Sequence, residues 1–99
     1  MYFAAFCTHN PGIIRADSEV LAAFADYLRN HPEQPGVVVH NAGPTLADDS
    51  ETIVGSLLII EATSLDAARR FLAESPYGNA GVFAETQVRP FDWRLGRPE

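Results

Sequence analysis

The fold is decided by the stretch AESPYGNAGVF, residues 73–83, where an amphipathic helix ends and the last strand begins. Pro76 has no amide proton to donate and disfavours helical backbone in the residue before it, so the helix has to stop here. The glycines that follow supply a flexible turn into the strand. Because loops between rigid elements often carry binding groups, Ser75 and Tyr77 are predicted ligand-binding residues.

Length and composition indicate a single globular domain. The chain has 99 residues, of which 46% are hydrophobic and 20% are charged. This balance allows one buried core and argues against disorder. We therefore expect one domain over residues 1–99, with an irregular C-terminal tail from about residue 92.

Charge and hydropathy narrow the range of partners. The formal net charge of -6 would repel a phosphate backbone, so no nucleic-acid partner is expected. No apolar run approaches the roughly 18 to 20 residues that span a bilayer, so no membrane partner is expected and a cytoplasmic location is predicted. The single cysteine, Cys7, excludes an intrachain disulfide and fits a reducing compartment.

Hydrophobic periodicity predicts the order β-α-β-β-α-β. Apolar residues are concentrated in short strand-like runs and recur at helical spacings in the helices. The predicted elements are a strand over Tyr2–Thr8, a helix over Ser18–Asn30, a strand over Val37–His40, a turn-rich connection over 43–50, a strand over 51–60, a helix that begins after Ser64, and a strand over Val82–Val88. This order is typical of the ferredoxin-like α+β fold, a four-stranded antiparallel sheet with two helices on one face.

The uncovered face of this sheet is predicted to meet another protein. The first strand is apolar on both faces, with Tyr2 and Phe6 on one side and Phe3 and Cys7 on the other, and the third strand follows the same pattern. A solvated face would instead present polar residues at every second position. The economical partner is a second copy related by two-fold symmetry, so we expect a homodimer through the open sheet face.

Several blocks of sequence carry a resemblance to a known family. They are Ala42-Gly43-Pro44, the block GSLLIIE at 55–61 leading into SLDAA at 64–68, and Ser75-Pro76-Tyr77 with AGVF at 80–83 and VRPF at 88–91. Together they resemble the YciI-like (YCII-related domain) family of small dimeric α+β barrel proteins over nearly the whole chain. The resemblance implies the same ferredoxin-like fold and the same dimeric barrel.

The resemblance also implies an acid–base dyad, which this chain lacks. Members usually have a histidine in the first helix and an aspartate directly before the Pro-Tyr pair, and some act as lyases that eliminate chloride from a chlorinated hydroxyaromatic. Here Ser75 precedes Pro76, and no histidine lies between Asp17 and Asn30. A serine cannot orient an imidazolium as a carboxylate does, so the family-type chemistry is not expected in its usual form.

Other residues are candidates for the site. His40, at the end of the second predicted strand, and His9, at the end of the first, are the candidate general bases, with Asp26 or Glu85 as a carboxylate partner. Arg15 is a candidate for holding a carboxylate or phenolate. The three histidines lie at no helical metal-ligand spacing, so no metal and no other cofactor are expected.

Three functions remain open at this point. The first is binding of a small aromatic or carboxylated molecule in a pocket bounded by the sheet and a helix end. The second is a lyase- or hydrolase-type enzyme in which His40 or His9 is the general base, which requires the base and its partner within hydrogen-bond reach in one cleft. The third is a structural interaction module without a small-molecule ligand, which an open apolar face also explains.

Overall fold

The order of secondary-structure elements follows the prediction, with one short helix added. The computed structural model describes residues 1–11 and 18–98. Within these ranges the elements are β1 (Tyr2–His9), α1 (Ser18–Arg29), β2 (Val38–Leu46), β3 (Ile53–Glu61), α2 (Leu65–Ala73), α3 (Pro76–Asn79) and β4 (Phe83–Pro90). The addition is α3, which occupies the predicted glycine turn.

The strands form one antiparallel sheet in the order β2-β3-β1-β4. The two central strands, β1 and β3, are therefore the ones that the sequence marks as apolar on both faces. Side chains of α1 and α2 pack against the same buried cluster. The predicted ferredoxin-like α+β fold is confirmed.

The core lies between this sheet and the helices. Phe3 and Ala5 of β1 and Ile60 of β3 are fully buried, and they meet Phe71 of α2 in one cluster. Cys7 belongs to the same cluster, and burial raises the pKa of its thiol to about 11, although a hydrogen bond with Thr86 opposes the shift. Because the thiolate is the nucleophilic form, this cysteine acts as a small core residue.

α2 begins and ends where the sequence predicts. The Ser64 side chain accepts a hydrogen bond from the Ala67 amide at 3.0 Å and so caps the first turn. The face formed by Ala68, Phe71 and Leu72 is buried. The helix ends at Ala73, before Pro76.

The corner between α2 and α3 is tight because of Gly78. A Cβ atom at this position would lie 2.5 Å from the carbonyl oxygens of both Leu72 and Ala73. No side chain fits such a gap, so glycine lets α3 pack directly against the end of α2. Pro76 stands at the start of α3, where its missing amide proton is not needed.

The predicted end of β2 was wrong. The strand does not stop at His40 but continues to Leu46, so the Ala42-Gly43-Pro44 block lies within it. Proline cannot donate a backbone hydrogen bond to a neighbouring strand. It is tolerated in β2 because β2 is an edge strand, which has no neighbour on its outer side. The hairpin turn is shorter than predicted, and Asp49 closes it by accepting hydrogen bonds from the Glu51 and Thr52 amides at 2.8 and 2.9 Å.

One face of the sheet carries exposed apolar side chains. Phe6 is 50% exposed, Val38 48% and Leu57 37%, and Phe6 pairs with Leu57 across the two central strands. We call this surface the open face.

None of the helices in the described residues is long and apolar enough to cross a membrane.

Candidate functional site

A cleft of about 250 Å³ lies between α1 and the inner side of the sheet. We call it the α1 cleft. Its walls are mainly apolar, with an imidazole, a serine hydroxyl and a phenol as the polar side chains. The lining residues are His9, Leu21, Phe24, Ala25, Leu28, Ala42, Gly43, Pro44, Ile53, Ser56, Leu58 and Tyr77.

His9 is the last residue of β1, and its ring lies in the wall of the α1 cleft. The side chain is 5% exposed, and Nε2 lies 2.8 Å from the Ser56 hydroxyl oxygen. The edge of the ring meets Tyr77 with centroids 5.4 Å apart and planes at 87°. The backbone after His9 is held by the next residue, because the Asn10 amide donates a hydrogen bond to the Val82 carbonyl at 2.7 Å.

Tyr77 reaches the cleft from α3. Its ring stacks on Phe24 of α1 and meets Phe83 of β4 edge to face. Burial raises the pKa of its phenol, so the hydroxyl stays protonated near neutral pH and remains a hydrogen-bond donor. Among the predicted site residues that the structure describes, His9 and Tyr77 are the two that it brings together.

Ser75 does not line the α1 cleft, because its side chain makes local hydrogen bonds at the start of α3. It is completely buried and is the N-cap of α3. Its hydroxyl donates to the Leu72 carbonyl at 2.6 Å and accepts from the Gly78 amide at 3.1 Å. Both hydrogen-bonding functions therefore stabilise the α2–α3 corner.

His40 lies on the other side of the sheet from the α1 cleft. The register of β2 against β3 shifts between Val39 and Asn41, so His40 is the extra residue of a β-bulge. Its Nε2 lies 2.9 Å from Oε1 of Glu61, and its ring packs edge-on against Tyr2 and Trp93, with centroids 5.6 Å away in both cases. His40 and His9 therefore do not share a site.

The expected carboxylate partners also differ from those found. Asp26 is exposed on α1, and Glu85 is exposed on β4 opposite Thr8. The structure pairs His9 with Ser56 and His40 with Glu61 instead. Arg15 lies outside the described residues, and the assignments of catalytic and ligand-binding roles stay predictions.

Ser56 and Glu61 were missed by the sequence reasoning, although Ser56 left a signal. It shares its strand face with Leu58 and Ile60, both buried, so a polar residue stands at a core position of β3. A buried polar group requires a partner, which can be sought among the histidines. Within residues 1–11 and 18–98, no group of three or more His, Cys, Asp and Glu side chains is placed to hold a metal ion.

Comparison with known proteins places these features in a family. A protein of Haemophilus influenzae with no characterised function is 26% identical over 94 residues, which cover 92% of this chain and 96% of the relative. The structure is similar to that of 5-chloro-2-hydroxyhydroquinone dehydrochlorinase (TftG) from Burkholderia phenoliruptrix AC1100, determined as a complex with 2,5-dihydroxybenzoquinone. That similarity has a TM-score of 0.73 and 31% identity, over 93% of this chain and 94% of TftG.

A more distant structure shares the fold alone. It is SnoaB, a cofactor-independent oxygenase from Streptomyces nogalater, with a TM-score of 0.50 and 21% identity over 97% of this chain and 95% of SnoaB. The sequence model of the YCII-related domain matches residues 1–92, which span every element from β1 to β4. The chain is thus a member of the YCII-related domain family.

Proposed function

We propose that the protein binds a small one-ring aromatic molecule with hydroxyl or carboxylate groups in the α1 cleft. The observation that carries this proposal is the lining, in which apolar walls surround the polar atoms of His9, Ser56 and Tyr77. Ligand sites typically combine these features. A volume of about 250 Å³ lies just below the range of roughly 300–1,000 Å³ for drug-sized ligands, which favours a single ring.

Similarity to TftG supports the ligand class. That protein was determined with 2,5-dihydroxybenzoquinone, a small ring with two hydroxyl groups. The polar groups of the α1 cleft suit such a molecule, because an imidazole and a phenol can both hydrogen-bond to hydroxyl or carboxylate oxygens. Stacked and edge-on aromatic rings in the wall favour a planar apolar body.

An enzymatic function is the alternative, and one observation favours it. His9 places its imidazole ring in the cleft wall with Nε2 against the Ser56 hydroxyl, so a proton can pass between the ring and a bound molecule through that hydroxyl. A lyase- or hydrolase-type activity with His9 as the base follows from this placement. His40 is the weaker candidate for such a base, because it does not line the α1 cleft.

The open face supports a second part of the proposal, a homodimer. Exposed Phe6, Val38 and Leu57 are the kind of apolar surface that a second copy covers by two-fold symmetry. Sedimentation analysis of the wild type and of Phe6→Glu tests this, with Leu95→Glu in the exposed tail as the matched control. We expect only Phe6→Glu to yield monomers, and a wild type that is monomeric at all concentrations contradicts the dimer.

We also propose a cytoplasmic location, because Cys7 is a buried free thiol that needs no oxidising compartment.

Titration of the protein with 2,5-dihydroxybenzoquinone and benzoate, followed by calorimetry, tests the binding proposal. Ala25 lines the α1 cleft, so the larger side chain of Ala25→Phe takes up part of its volume, and Ala23→Phe makes the same change at an exposed position of that helix outside the lining. We expect the first variant to lose binding and the second to retain it. If neither compound binds, or if both variants bind equally well, the interaction module is the better description.

A further inference from the structure

Two side chains of the α1 cleft form a hydroxyl–imidazole pair. Ser56 projects from β3 and His9 from the end of β1, and the serine oxygen lies 2.8 Å from Nε2. Both residues line the cleft, although they are only 6% and 5% exposed. A nucleophile and its base within hydrogen-bond reach are the recurring geometry of covalent catalysis.

The direction of this hydrogen bond depends on which nitrogen of His9 carries the proton. A serine hydroxyl has one proton to donate, and a buried hydroxyl normally donates it. Across residues 1–11 and 18–98, the partner found for the Ser56 hydroxyl is Nε2 of His9. The Ser56 hydroxyl donates this hydrogen bond when the imidazole carries its proton on Nδ1, and that is the form of the pair in which His9 can act as a base.

Ser75 provides the contrast within the same chain. It is also buried, but its proton goes to the Leu72 carbonyl oxygen, which is not a base, and it lies outside the cleft lining. A carbonyl oxygen cannot take the proton from an attacking hydroxyl, whereas an imidazole nitrogen can. Of these two buried serines, Ser75 is a structural cap and Ser56 lies beside a base.

We propose that Ser56 is a nucleophile, activated by His9, that reacts with small aryl esters entering the α1 cleft. The apolar walls suit the aryl group, and the limited volume restricts the acyl group to a small one. The proposal shares its cleft with the proposed function and adds a covalent reaction to it.

The reaction balances with water as the co-reactant. Ser56 Oγ bonds to the ester carbonyl carbon while its proton passes to His9 Nε2. The bond between that carbon and the aryl oxygen then breaks, and the imidazolium returns the proton to the departing phenolate. Water repeats the sequence on the acyl-serine, releasing a carboxylic acid and restoring Ser56, so that the ester and water become a phenol and an acid.

Tyr77 is suited to the developing negative charge. Its phenol lines the same cleft and remains protonated, and tyrosine hydroxyls are among the donors that stabilise oxyanions. The edge-on contact with Tyr77 also holds the His9 ring in place. These two roles can be separated, because Tyr77→Phe removes the hydroxyl and retains the ring.

Labelling with diisopropyl fluorophosphate tests the nucleophile. We expect one label per chain, mapped to Ser56 in the wild-type protein, so that the result needs no variant to fold. Ser56→Ala should take no label, and Ser75→Ala should be labelled as the wild type is. His9→Gln should be labelled about a hundredfold more slowly, which is the lower end of a general base's contribution.

Hydrolysis of phenyl acetate provides the second readout. We expect Ser56→Ala to lose the protein-dependent rate and Ser75→Ala, whose hydroxyl lies outside the cleft lining, to retain it. A wild type that takes no label, a label on any other residue, or an unchanged rate in Ser56→Ala overturns the proposal. Benzoate binding is measured separately, so the two proposals can fail independently. If Ser56 is not labelled but benzoate binds, only the nucleophile proposal fails. If Ser56 is labelled but benzoate does not bind, only the binding proposal fails.

Discussion

Tyr77 of α3 stacks on Phe24 of α1, with ring centroids 4.0 Å apart and ring planes inclined by only 4°. Both rings line the α1 cleft, and Phe24 is one of the buried residues of the core. The contact joins the first helix to the corner before β4. The same pair of rings therefore bounds the cleft and stabilises the fold.

Breaking this stack should show energetic coupling between the two residues. We expect a double-mutant cycle of Phe24→Leu and Tyr77→Leu to give a coupling free energy of about 1 kcal/mol, in the range for aromatic pairs. Urea denaturation of the four proteins measures it. Tyr2→Leu combined with Phe24→Leu is the control and should be additive, because Tyr2 packs on His40 and Trp93. Additivity in the Tyr77 cycle would contradict the stack.

Replacement of Ser75 should affect stability rather than ligand binding. Ser75→Ala removes a helix cap worth about 1 kcal/mol, and it also leaves the Leu72 carbonyl without its hydroxyl donor. We expect a larger loss in the free energy of unfolding than for Ser64→Ala, which removes an exposed cap. Benzoate affinity should be unchanged in both variants. A loss of affinity at unchanged stability would instead support the ligand-binding role predicted from the sequence.

The tryptophan fluorescence should report on His40. Trp93 is the single tryptophan, and its ring lies 5.6 Å from the His40 ring and 5.3 Å from Tyr2. His40→Ala should expose Trp93 and shift its emission to longer wavelength, whereas Glu61→Gln keeps the imidazole ring and should shift it less. Labelling of Ser56 should be the same in both variants. A large loss of labelling in His40→Ala would show that the two faces of the sheet act together.

Tyr27 should make stability depend on pH in the alkaline range. Burial, reinforced by Glu74 and Glu33, raises the pKa of this phenol from 10.0 to about 12. The folded protein holds the proton more tightly than the unfolded chain, so the contribution is complete below about pH 10 and is lost as the pH rises to about 12. Urea denaturation across this range measures the fall in unfolding free energy.

The matched variant for this measurement is Tyr27→Phe. It lacks the hydroxyl that donates to the Phe71 carbonyl at 2.7 Å, so it should be less stable at neutral pH. Its unfolding free energy should fall less between about pH 10 and 12 than that of the wild type. Parallel curves for the two proteins would contradict the raised pKa.

Local signals were sufficient to predict most of the fold. Strand alternation, the Ser64 cap and the break at Pro76 each act within a few residues, and the structure confirms the order of elements that they predict. The predicted end of β2 was wrong because Gly43 and Pro44 usually favour a turn. In this sheet they continue the strand, since both residues are tolerated at its edge. α3 was missed because its single turn depends on Ser75 as a cap and on the close packing of Gly78.

The site was harder to predict because its contacts are distant in sequence. His9 and Ser56 are 47 positions apart, and the antiparallel register of β1 and β3 brings them together. His40 is predicted near a cleft because of the expected strand end, but the strand continues, and His40 lies on the same face as Val38 and pairs with Glu61.

The narrow gap at Gly78 makes the residue type at this position informative about the α2–α3 corner of a relative. Any relative with the same α2–α3 corner should have glycine here, since even one methyl group would collide with two backbone carbonyls. A relative with a larger residue must turn differently between α2 and β4, which would move the ring at position 77 away from Phe24. One alignment column therefore separates chains expected to share the α1 cleft from chains that have the same fold but a remodelled pocket.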